Sequence, residues 1–305
     1  MNSKRSGDLA ALTCALACGL GNIPAKVGLQ NVSPELFNFF LFLSASVFSA
    51  LPLFNARYRA EIAQIRPTTL ALIFALSLLF ATALTLNMTA LKLLEPATAS
   101  FLSRFEVILT IALAYFILRE KLGFMEILGG IIALSGVFVL RFKTNLVISQ
   151  GSTLMILSGF FFAASEIIIK KNIASLSTAS FLFYRNIFLI PILFGIILFQ
   201  SERFFVPDGK TLLLIIAASL LLPVIGRATY QMALKRIDIS RAALITQTTP
   251  LFTALFAFIL LQTLPSPVEW LGSGLIILGA TFVSFSHYLS RIRVGAMPKP
   301  FVSKM

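Results

Sequence analysis

Charged residues are scarce in this 305-residue chain. Asp, Glu, Lys and Arg together make up 12% of it, against about 25% in ordinary soluble proteins. Apolar residues make up 58%. So few hydrophilic residues cannot cover a water-soluble core, which excludes a soluble globular protein. The composition therefore predicts a protein whose solvent is lipid.

Residue types that carry metal binding and catalysis are also rare. There is one His, His287, and the two Cys, Cys14 and Cys18, lie in the first apolar run. These counts exclude His-rich zinc motifs, a disulfide framework and a CxxC metal site, and no GxxxxGK[ST] phosphate loop occurs. The few Asp residues lie near the ends of apolar runs, so an intramembrane pair of catalytic aspartates is not expected. The sequence predicts a non-enzyme without a metal or a cofactor, and it assigns Cys14 and Cys18 to packing.

Long apolar runs are abundant. Ten of them are free of clustered charge, and each is near the length of about 20 residues that a helix needs to cross the bilayer. Turn residues or charges separate them. The predicted fold is an all-α integral membrane protein with ten transmembrane helices. The predicted spans, in order, cover residues 9–28, 34–54, 68–88, 96–118, 123–140, 152–169, 178–199, 211–233, 240–261 and 268–288.

Basic residues between the spans predict the orientation. If the N-terminus is cytoplasmic, the cytoplasmic segments contain 16 Lys and Arg residues and the opposite loops contain six. Short loops rich in Lys and Arg stay in the cytoplasm. Both termini are therefore predicted to be cytoplasmic, in a multi-pass protein of the bacterial inner membrane. The formal net charge of +13 follows from this bias and from attraction to anionic headgroups, so no nucleic acid partner is expected.

The chain contains an internal repeat. A shift of 143 residues aligns residues 90–140 with residues 233–283 without a gap, and 11 of the 51 aligned positions are identical. The identities include charged residues and glycines, which hydropathy alone would not match. Each half then holds five helices, in residues 1–145 and in residues 146–305, the second half with a short basic C-terminal tail. Because five is odd, the second half enters the membrane from the opposite side. Two inverted repeats are the architecture of many secondary transporters.

One motif gives the chain a family resemblance. The stretch LREKL at residues 118–122 is followed by a Glu and two Gly residues, and the second half keeps this Glu and both Gly. With ten spans in two halves, this pattern resembles the EamA-type carriers of the drug/metabolite transporter superfamily. The second half departs from the motif at residues 262–264, where the Arg-Glu pair is missing. The resemblance implies carriage of a small molecule, often export of metabolites or amino acids. The matched residues are Glu126, Gly129 and Gly136 in the first half and Glu269, Gly272 and Gly279 in the second.

Charged residues inside the spans are candidates for a substrate site, because a charge in the bilayer centre is costly unless it faces a cavity or a partner. Arg104 lies about 12 Å from the end of its span, too deep to reach the interface easily. Its repeat mate is Gln247, next to Thr246 and shortly before Pro250, which removes a helix hydrogen bond. We therefore expect the fourth and ninth spans to line a cavity, with Arg104 attracting a carboxylate or a phosphate.

Other polar residues in the spans leave alternatives open. Glu106 is a proton-coupling group, the partner of a residue on another helix, or a residue at the lipid edge. Glu166 pairs either with Lys170 at the i+4 position or with Arg185 to close an inner gate, and Arg227 either shares that gate or reaches the membrane surface. The predicted substrate-binding residues are Arg104, Glu106, Gln247, Thr246, Asn22 and Tyr184, and the predicted gating or coupling residues are Glu166, Arg185, Arg227 and Pro250.

These residues predict a secondary transporter that moves a small polar metabolite by alternating access. Export of amino acids or related metabolites is the leading substrate class. Uptake of a nucleoside-like or cationic compound and multidrug efflux are the alternatives, and a non-transporting scaffold or receptor would show no stabilisation by substrate. The expected partners are a small-molecule substrate and the lipid bilayer. Proton coupling stays open, and the protein is expected to be a monomer or a homodimer.

Overall fold

The structure, a computed structural model, describes residues 3–93, 105–120, 123–139, 150–172, 176–200 and 203–262, and isolated positions between 271 and 282. These residues form helices and connecting turns, and no strand occurs among them. The helices are α1 (Ser3–Gly28), α2 (Pro34–Ala50), α3 (Ala56–Ala63), α4 (Pro67–Leu93), α5 (Phe105–Leu113), α6 (Phe124–Val139), α7 (Gln150–Asn172), α8 (Thr178–Phe199), α9 (Gly209–Ser219), α10 (Arg227–Leu234), α11 (Ile239–Thr246) and α12 (Thr249–Leu261).

Seven helical segments in the described ranges are long and apolar enough to cross a membrane. They coincide within a few residues with the first, second, third, sixth, seventh, eighth and ninth predicted spans, which confirms an all-helical integral membrane protein. Large apolar side chains cover the outside of the bundle, as shown by Phe116, which is 75% exposed, and Leu213, which is 68% exposed. α5 and α6 are shorter apolar helices. Most of the tenth predicted span lies outside the described residues, so a total of ten stays a prediction.

Four of the described spans change helical geometry along their length. The second span continues beyond α2 as a 3-10 turn, Leu51–Phe54. A π-helical turn, Leu220–Gly226, joins α9 to α10 and contains Pro223, and a second π-helical turn, Ala114–Leu118, continues α5. α11 stops at Thr246, and α12 starts at Thr249 with Pro250 in its first turn. Proline is tolerated there because the first amides of a helix have no intrahelical acceptor. The ninth predicted span is therefore broken at its polar stretch.

The same local structures recur at positions about 143 residues apart. The hydroxyls of Ser33 and Ser177, 144 residues apart, accept hydrogen bonds from backbone amides at the starts of α2 and α8. Arg119 and Gln262, 143 residues apart, have φ angles of 55° and 52° and end the α5 and α12 segments. They are the non-glycine residues with positive φ in the described part of the chain. Positive φ is uncommon for residues with a Cβ, so this match extends the repeat from sequence to backbone conformation.

Helices of the first half pack mainly on helices of the second half. α1 lies against α9–α10 and against α11–α12, and α7 lies against α4 and α5 in the same way. α4 packs on α8, and α2 packs on α9. These contacts are symmetric between the two halves. If α1 is exchanged with α7, α2 with α8, α4 with α9–α10 and α5 with α11–α12, each contact becomes another contact that the structure also contains. The contact between α2 and α8 becomes itself.

An ion pair and a helix cap join the two halves at one end of the bundle. Arg241, at the start of α11, donates to both carboxylate oxygens of Asp8 on α1, at 2.7 and 3.0 Å. The carboxylate of Glu120, just after α5, accepts from the backbone amides of Ile239 and Ser240 at 2.9 and 3.2 Å. A carboxylate at a helix N-terminus satisfies free amides and complements the helix dipole. Glu120 of the LREKL motif therefore caps a helix of the other half.

Two lysines strengthen the same end. Lys170, in the last turn of α7, donates to the carbonyls of Leu234 and Ile237 at the end of α10. Lys235 donates to the carbonyl of Leu176, just before α8. Cations bind well at the carbonyl end of a helix. We call this end, with Asp8, Lys170, Lys235 and Arg241, the basic end.

A close crossing of α1 with α12 gives a stability prediction. A Cβ added at Gly19 would lie 2.5 Å from the Cβ of Phe252 and 3.0 Å from the backbone nitrogen of Thr253. Because these atoms cannot move without shifting the helix, Gly19→Ala is expected to destabilise the protein by about 1–3 kcal/mol, the usual cost of overpacking. Thermal unfolding of the purified protein in detergent measures the effect.

Gly195→Ala is the matched control for this crossing. Nothing lies within 4 Å of a Cβ at Gly195 in α8, and alanine is the better helix former by about 0.5–1 kcal/mol. Its unfolding midpoint should therefore equal or exceed that of the wild type. Equal midpoints for the two variants would contradict the contact between α1 and α12.

Candidate functional site

A cavity of about 520 Å³ lies in the middle of the bundle. One buried apolar cluster lies toward the basic end and includes Ala11 of α1 and Phe181 of α8; a second lies toward the other end and includes Ala25 of α1 and Leu189 of α8. The cavity lies between them. Its polar lining consists of Cys14, Cys18, Asn22, Asn38, Glu106, Thr110, Glu166, Arg185, Arg227, Tyr230, Thr246, Gln247 and Thr249, and its apolar lining includes Leu41, Phe42, Phe80, Leu84, Leu222 and Pro223.

Arg185 is the most buried charged group of the cavity, at 3% exposed. Its Cζ lies 5.0 Å from the ring centroid of Phe80 and 5.9 Å from that of Phe42. A cation on an aromatic face away from water gains about 2 kcal/mol. The Nε and Nη1 atoms are buried and have no hydrogen-bond partner in the part of the chain that the structure describes. Because unsatisfied buried donors are costly, this guanidinium is suited to bind an anion that enters the cavity.

Glu166 and Arg227 form an ion pair in the cavity wall. The Oε1 of Glu166 accepts from Nη1 of Arg227 at 2.5 Å, and their side chains are 9% and 15% exposed. The Cζ of Arg227 also lies 5.4 Å from the ring centroid of Tyr230. The second carboxylate oxygen of Glu166 and the Nε and Nη2 atoms of Arg227 have no hydrogen-bond partner among the described residues. The pair thus retains both donor and acceptor capacity toward the cavity.

This ion pair corrects three sequence-based interpretations. Glu166 does not pair with Lys170, because the Lys170 ammonium reaches the carbonyls of Leu234, the last residue of α10, and of Ile237. Arg227 does not extend to the membrane surface, because it binds the buried carboxylate of Glu166 on α7. Glu166 also bonds to Arg227 rather than to Arg185, which leaves Arg185 available.

The break between α11 and α12 places Thr246 and Gln247 in the cavity wall. The hydroxyls of Thr246 and Thr248 donate to the carbonyls three residues before them, at 2.8 Å, and the Gln247 amide donates to the Ala243 carbonyl at 3.4 Å. Side chains of the polar stretch therefore satisfy carbonyls near the break, as membrane-buried backbone requires.

Asn22 and Glu106 reach the cavity from other helices. The Asn22 amide donates to the Thr253 hydroxyl of α12 at 3.2 Å. Glu106 lies at the start of α5, where Gly159 of α7 allows close approach: a Cβ on Gly159 would lie 3.2 Å from the Glu106 backbone nitrogen.

The other predicted site residues lie elsewhere. Arg104, the residue ranked first from the sequence, lies outside the described residues, as does the side chain of Pro250. The structure does not bring Tyr184 to the cavity lining. Successive helix residues differ by about 100°, and the Tyr184 ring lies beside the Phe188 ring, with centroids 5.9 Å apart. The cavity thus brings together seven of the predicted residues, Asn22, Glu106, Glu166, Arg185, Arg227, Thr246 and Gln247.

The sequence analysis assigned Cys14 and Cys18 to packing, and it did not identify Phe42 and Phe80 as cavity residues. Cys14, Cys18 and Asn22 follow one another at four-residue spacing on α1, so the polar Asn22 could have indicated that the two thiols share its face. Phe42 and Phe80 carry no such signal, because an aromatic residue in an apolar span has the same appearance at the lipid surface and in a cavity.

Seven long apolar helices around a central cavity lined with charged residues define a polytopic membrane protein. The chain belongs to the EamA-like transporter family, whose sequence model matches residues 5–142 and 149–285. The resemblance seen in the sequence is thereby confirmed, together with membership of the drug/metabolite transporter superfamily.

The chain is also similar to one named relative and to one solved structure. The chain is 23% identical over 233 residues to a protein named "Uncharacterized transporter sll1164" from Synechocystis sp. (strain ATCC 27184 / PCC 6803 / Kazusa). That match covers 72% of this chain and 66% of the relative, so the chain spans slightly less than two thirds of that relative's length. A protein of known crystal structure superposes with a TM-score of 0.78 at 18% identity, covering 95% of this chain and 99% of that chain. This likeness shows a shared fold.

Proposed function

We propose that the protein is a secondary transporter that moves an amino acid or a related small polar metabolite by alternating access, in the export direction. The observation that carries the proposal is Arg185, a buried guanidinium that lines the central cavity and has two N–H donors without a hydrogen-bond partner among the residues that the structure describes. Such a group binds a carboxylate through charge-assisted hydrogen bonds. Glu106 and Glu166 provide acceptors for an amino group in the same cavity. The cavity therefore contains a cation for the carboxylate of a zwitterion and carboxylates for its ammonium group.

The cavity volume also suits a metabolite of this size. Small-molecule sites generally measure about 300–1,000 Å³ and combine apolar walls with a few polar groups, and this cavity has about 520 Å³. Thr246, Gln247 and Asn22 supply further hydrogen-bonding groups in the proposed substrate site. Arg104 is retained in the proposal as a second cationic group, from its position in the sequence.

Alternating access follows from the proposed inverted repeat. Ten spans in two five-helix halves, residues 1–145 and 146–305, would let the halves exchange conformations around a fixed central site. Three observations support this architecture: the contacts that map onto one another when the halves are exchanged, the paired positive φ angles at Arg119 and Gln262, and the two successive family matches. In this proposal the Glu166–Arg227 pair breaks and re-forms as the halves move, and Pro250 permits bending of the ninth span.

The orientation of the protein is part of the same proposal. The basic end contains the first turns of α1, the segment after α5, the end of α7 and the start of α11. These are the segments that the charge bias assigns to the cytoplasm. We place both termini on the cytoplasmic side of a bacterial inner membrane. Glu106 and Glu166 are the candidates for a proton-coupling role, since each is a carboxylate in the cavity wall.

A ligand screen tests the proposed substrate class. The thermal unfolding of the purified protein would be measured with amino acids, carboxylates, nucleosides and cationic drugs. A ligand present at 100 times its Kd stabilises a protein by about 2.7 kcal/mol. Zwitterionic or anionic compounds are expected to raise the unfolding midpoint of the wild type and of Arg203→Ala, an exposed-loop control, and to lose this effect in Arg104→Ala.

Transport assays in proteoliposomes follow for the compounds that bind. Uptake of labelled compound driven by its own gradient, repeated with an imposed pH gradient, distinguishes facilitated movement from proton coupling. Stabilisation by cations or neutral nucleosides alone would contradict the amino acid assignment and favour the alternative substrate classes. No stabilisation and no flux with any class would contradict a carrier of small polar metabolites.

A further inference from the structure

The cysteines Cys14 and Cys18 share one wall of the central cavity. They are the two cysteines of the whole chain, they lie one helical turn apart on α1, and both line the cavity. Their sulfur atoms are 3.9 Å apart, close enough for one thiol to donate a hydrogen bond to the other. Both cysteines are free thiols. The cavity therefore contains a pair of adjacent reduced sulfurs.

Packing fixes the position of this dithiol. Cys14 is buried at 7% exposed. A Cβ added at Gly226 of the π-helical turn would lie 2.7 Å from the sulfur of Cys18, so the backbone of this turn lies directly against that sulfur. Because α1 is helical through both positions, the two sulfurs are held side by side before any ligand arrives.

The number of available donors decides which ligand the dithiol fits. A structural zinc ion takes four protein ligands and a catalytic one takes three. No group of three or more His, Cys, Asp and Glu side chains suited to a metal ion occurs among the described residues. A trivalent arsenical with one organic substituent, R–As(OH)2, needs only two thiols. At a pyramidal trivalent centre with two sulfur bonds of about 2.3 Å, the length of a zinc–thiolate bond, and angles of about 100°, the two sulfurs lie about 3.5 Å apart. A small rotation of one side chain closes the difference from the 3.9 Å between Cys14 and Cys18.

We propose that Cys14 and Cys18 form a binding site for trivalent organoarsenicals in the wall of the cavity. Each thiol loses its proton to a hydroxyl of the arsenical, two As–S bonds replace two As–O bonds, and two water molecules leave. Arsenic stays trivalent throughout, so no oxidant or reductant takes part. The R group then projects into the cavity that also contains the Glu166–Arg227 pair. A bound arsenical would therefore exclude a transport substrate from the cavity, a consequence that rests on the proposed function.

Intact-mass spectrometry of the folded protein tests the site. The protein in detergent would be treated with phenylarsine oxide, which hydrates to C6H5–As(OH)2, and then washed with 2-mercaptoethanol, a monothiol. The wild type is expected to keep one phenylarsenic group per chain, because a two-sulfur chelate resists a monothiol. 2,3-Dimercaptopropanol, a dithiol, should remove it. Cys14→Ser and Cys18→Ser should each lose the label in the monothiol wash.

Two outcomes would overturn the proposal. The first is a wild-type adduct that the monothiol removes, and the second is no adduct at all while N-ethylmaleimide labels both thiols of the folded protein. The test on the wild type does not depend on how the Ser variants fold, and their unfolding midpoints are measured alongside. Since the mass readout requires no transport, the arsenical site and the proposed function can fail separately. A compound that binds the cavity should slow labelling at least tenfold, which places the dithiol within the substrate site.

Discussion

Replacing Arg185 with Met is expected to leave the protein folded, with an unfolding midpoint equal to or above that of the wild type, while strongly weakening the binding of carboxylate ligands. The guanidinium is 3% exposed and two of its donors have no hydrogen-bond partner among the described residues. A buried charge without a full set of partners costs desolvation energy, and a well-packed apolar residue of similar volume is often neutral or stabilising in its place. Met can lie along the faces of Phe42 and Phe80 and keep that contact area.

Ligand binding should respond in the opposite direction. Losing one partner of a buried charge-assisted hydrogen bond costs about 2–5 kcal/mol, which corresponds to a roughly 30- to 5,000-fold weaker affinity. Isothermal titration calorimetry with the compounds from the screen measures this change. Wild-type affinity in Arg185→Met would remove Arg185 from the binding site. A large fall in its unfolding midpoint would instead indicate a structural role.

Replacing Arg227 with Met is expected to destabilise the protein strongly, although the substitution is the same and the residue lines the same cavity. Arg227 neutralises Glu166 at 2.5 Å in a wall where both side chains are mostly buried. Removing one member of a buried ion pair leaves the other charge unpaired and costs about 3–5 kcal/mol. Unfolding in a graded series of denaturing detergent, monitored by circular dichroism, measures the loss.

A double substitution separates the ion pair from simple loss of packing. Glu166→Leu alone should also destabilise the protein, because it leaves Arg227 uncompensated. The double variant Glu166→Leu with Arg227→Met removes both charges and should recover most of the stability, giving a coupling energy of about 2–4 kcal/mol between the two positions. Additive losses in the double variant would mean that the charges do not stabilise each other.

The sequence predicted the spans and the cavity charges more successfully than it predicted their pairing. Apolar runs are long and bounded by turn residues, so seven of them match helical segments of the structure. Glu166, Arg185 and Arg227 were identified because charge inside a span is costly wherever it lies. Their partners depend on helix rotation and on the relative depth of residues on different helices. A spacing of i+4 suggested Lys170 for Glu166, whereas the lysine is long enough to reach carbonyl groups of α10.

The proposed site also shows where sequence reasoning fails for apolar residues. Phe42 and Phe80 hold the guanidinium of Arg185 in the structure, yet the chain contains 30 Phe. Tyr184 was chosen for its hydroxyl group. It directly precedes Arg185 in the helix, so its side chain points about 100° away from that of Arg185. Arg104 was ranked first by depth within its span, and that prediction stays open.

The packing of α1 onto distant helices has a consequence for biogenesis. α1 ends at Gly28, and its main partners begin with α9 at Gly209. At about 5–20 residues per second, translation takes roughly 10 to 35 s to produce the intervening chain. Throughout that time Cys14, Cys18 and Asn22 face neither their final neighbours nor the cavity. The newly inserted first helix must therefore be bound by the insertion machinery or be surrounded by lipid until its partners are made. An N-terminal fragment released early would lack the helices against which α1 packs.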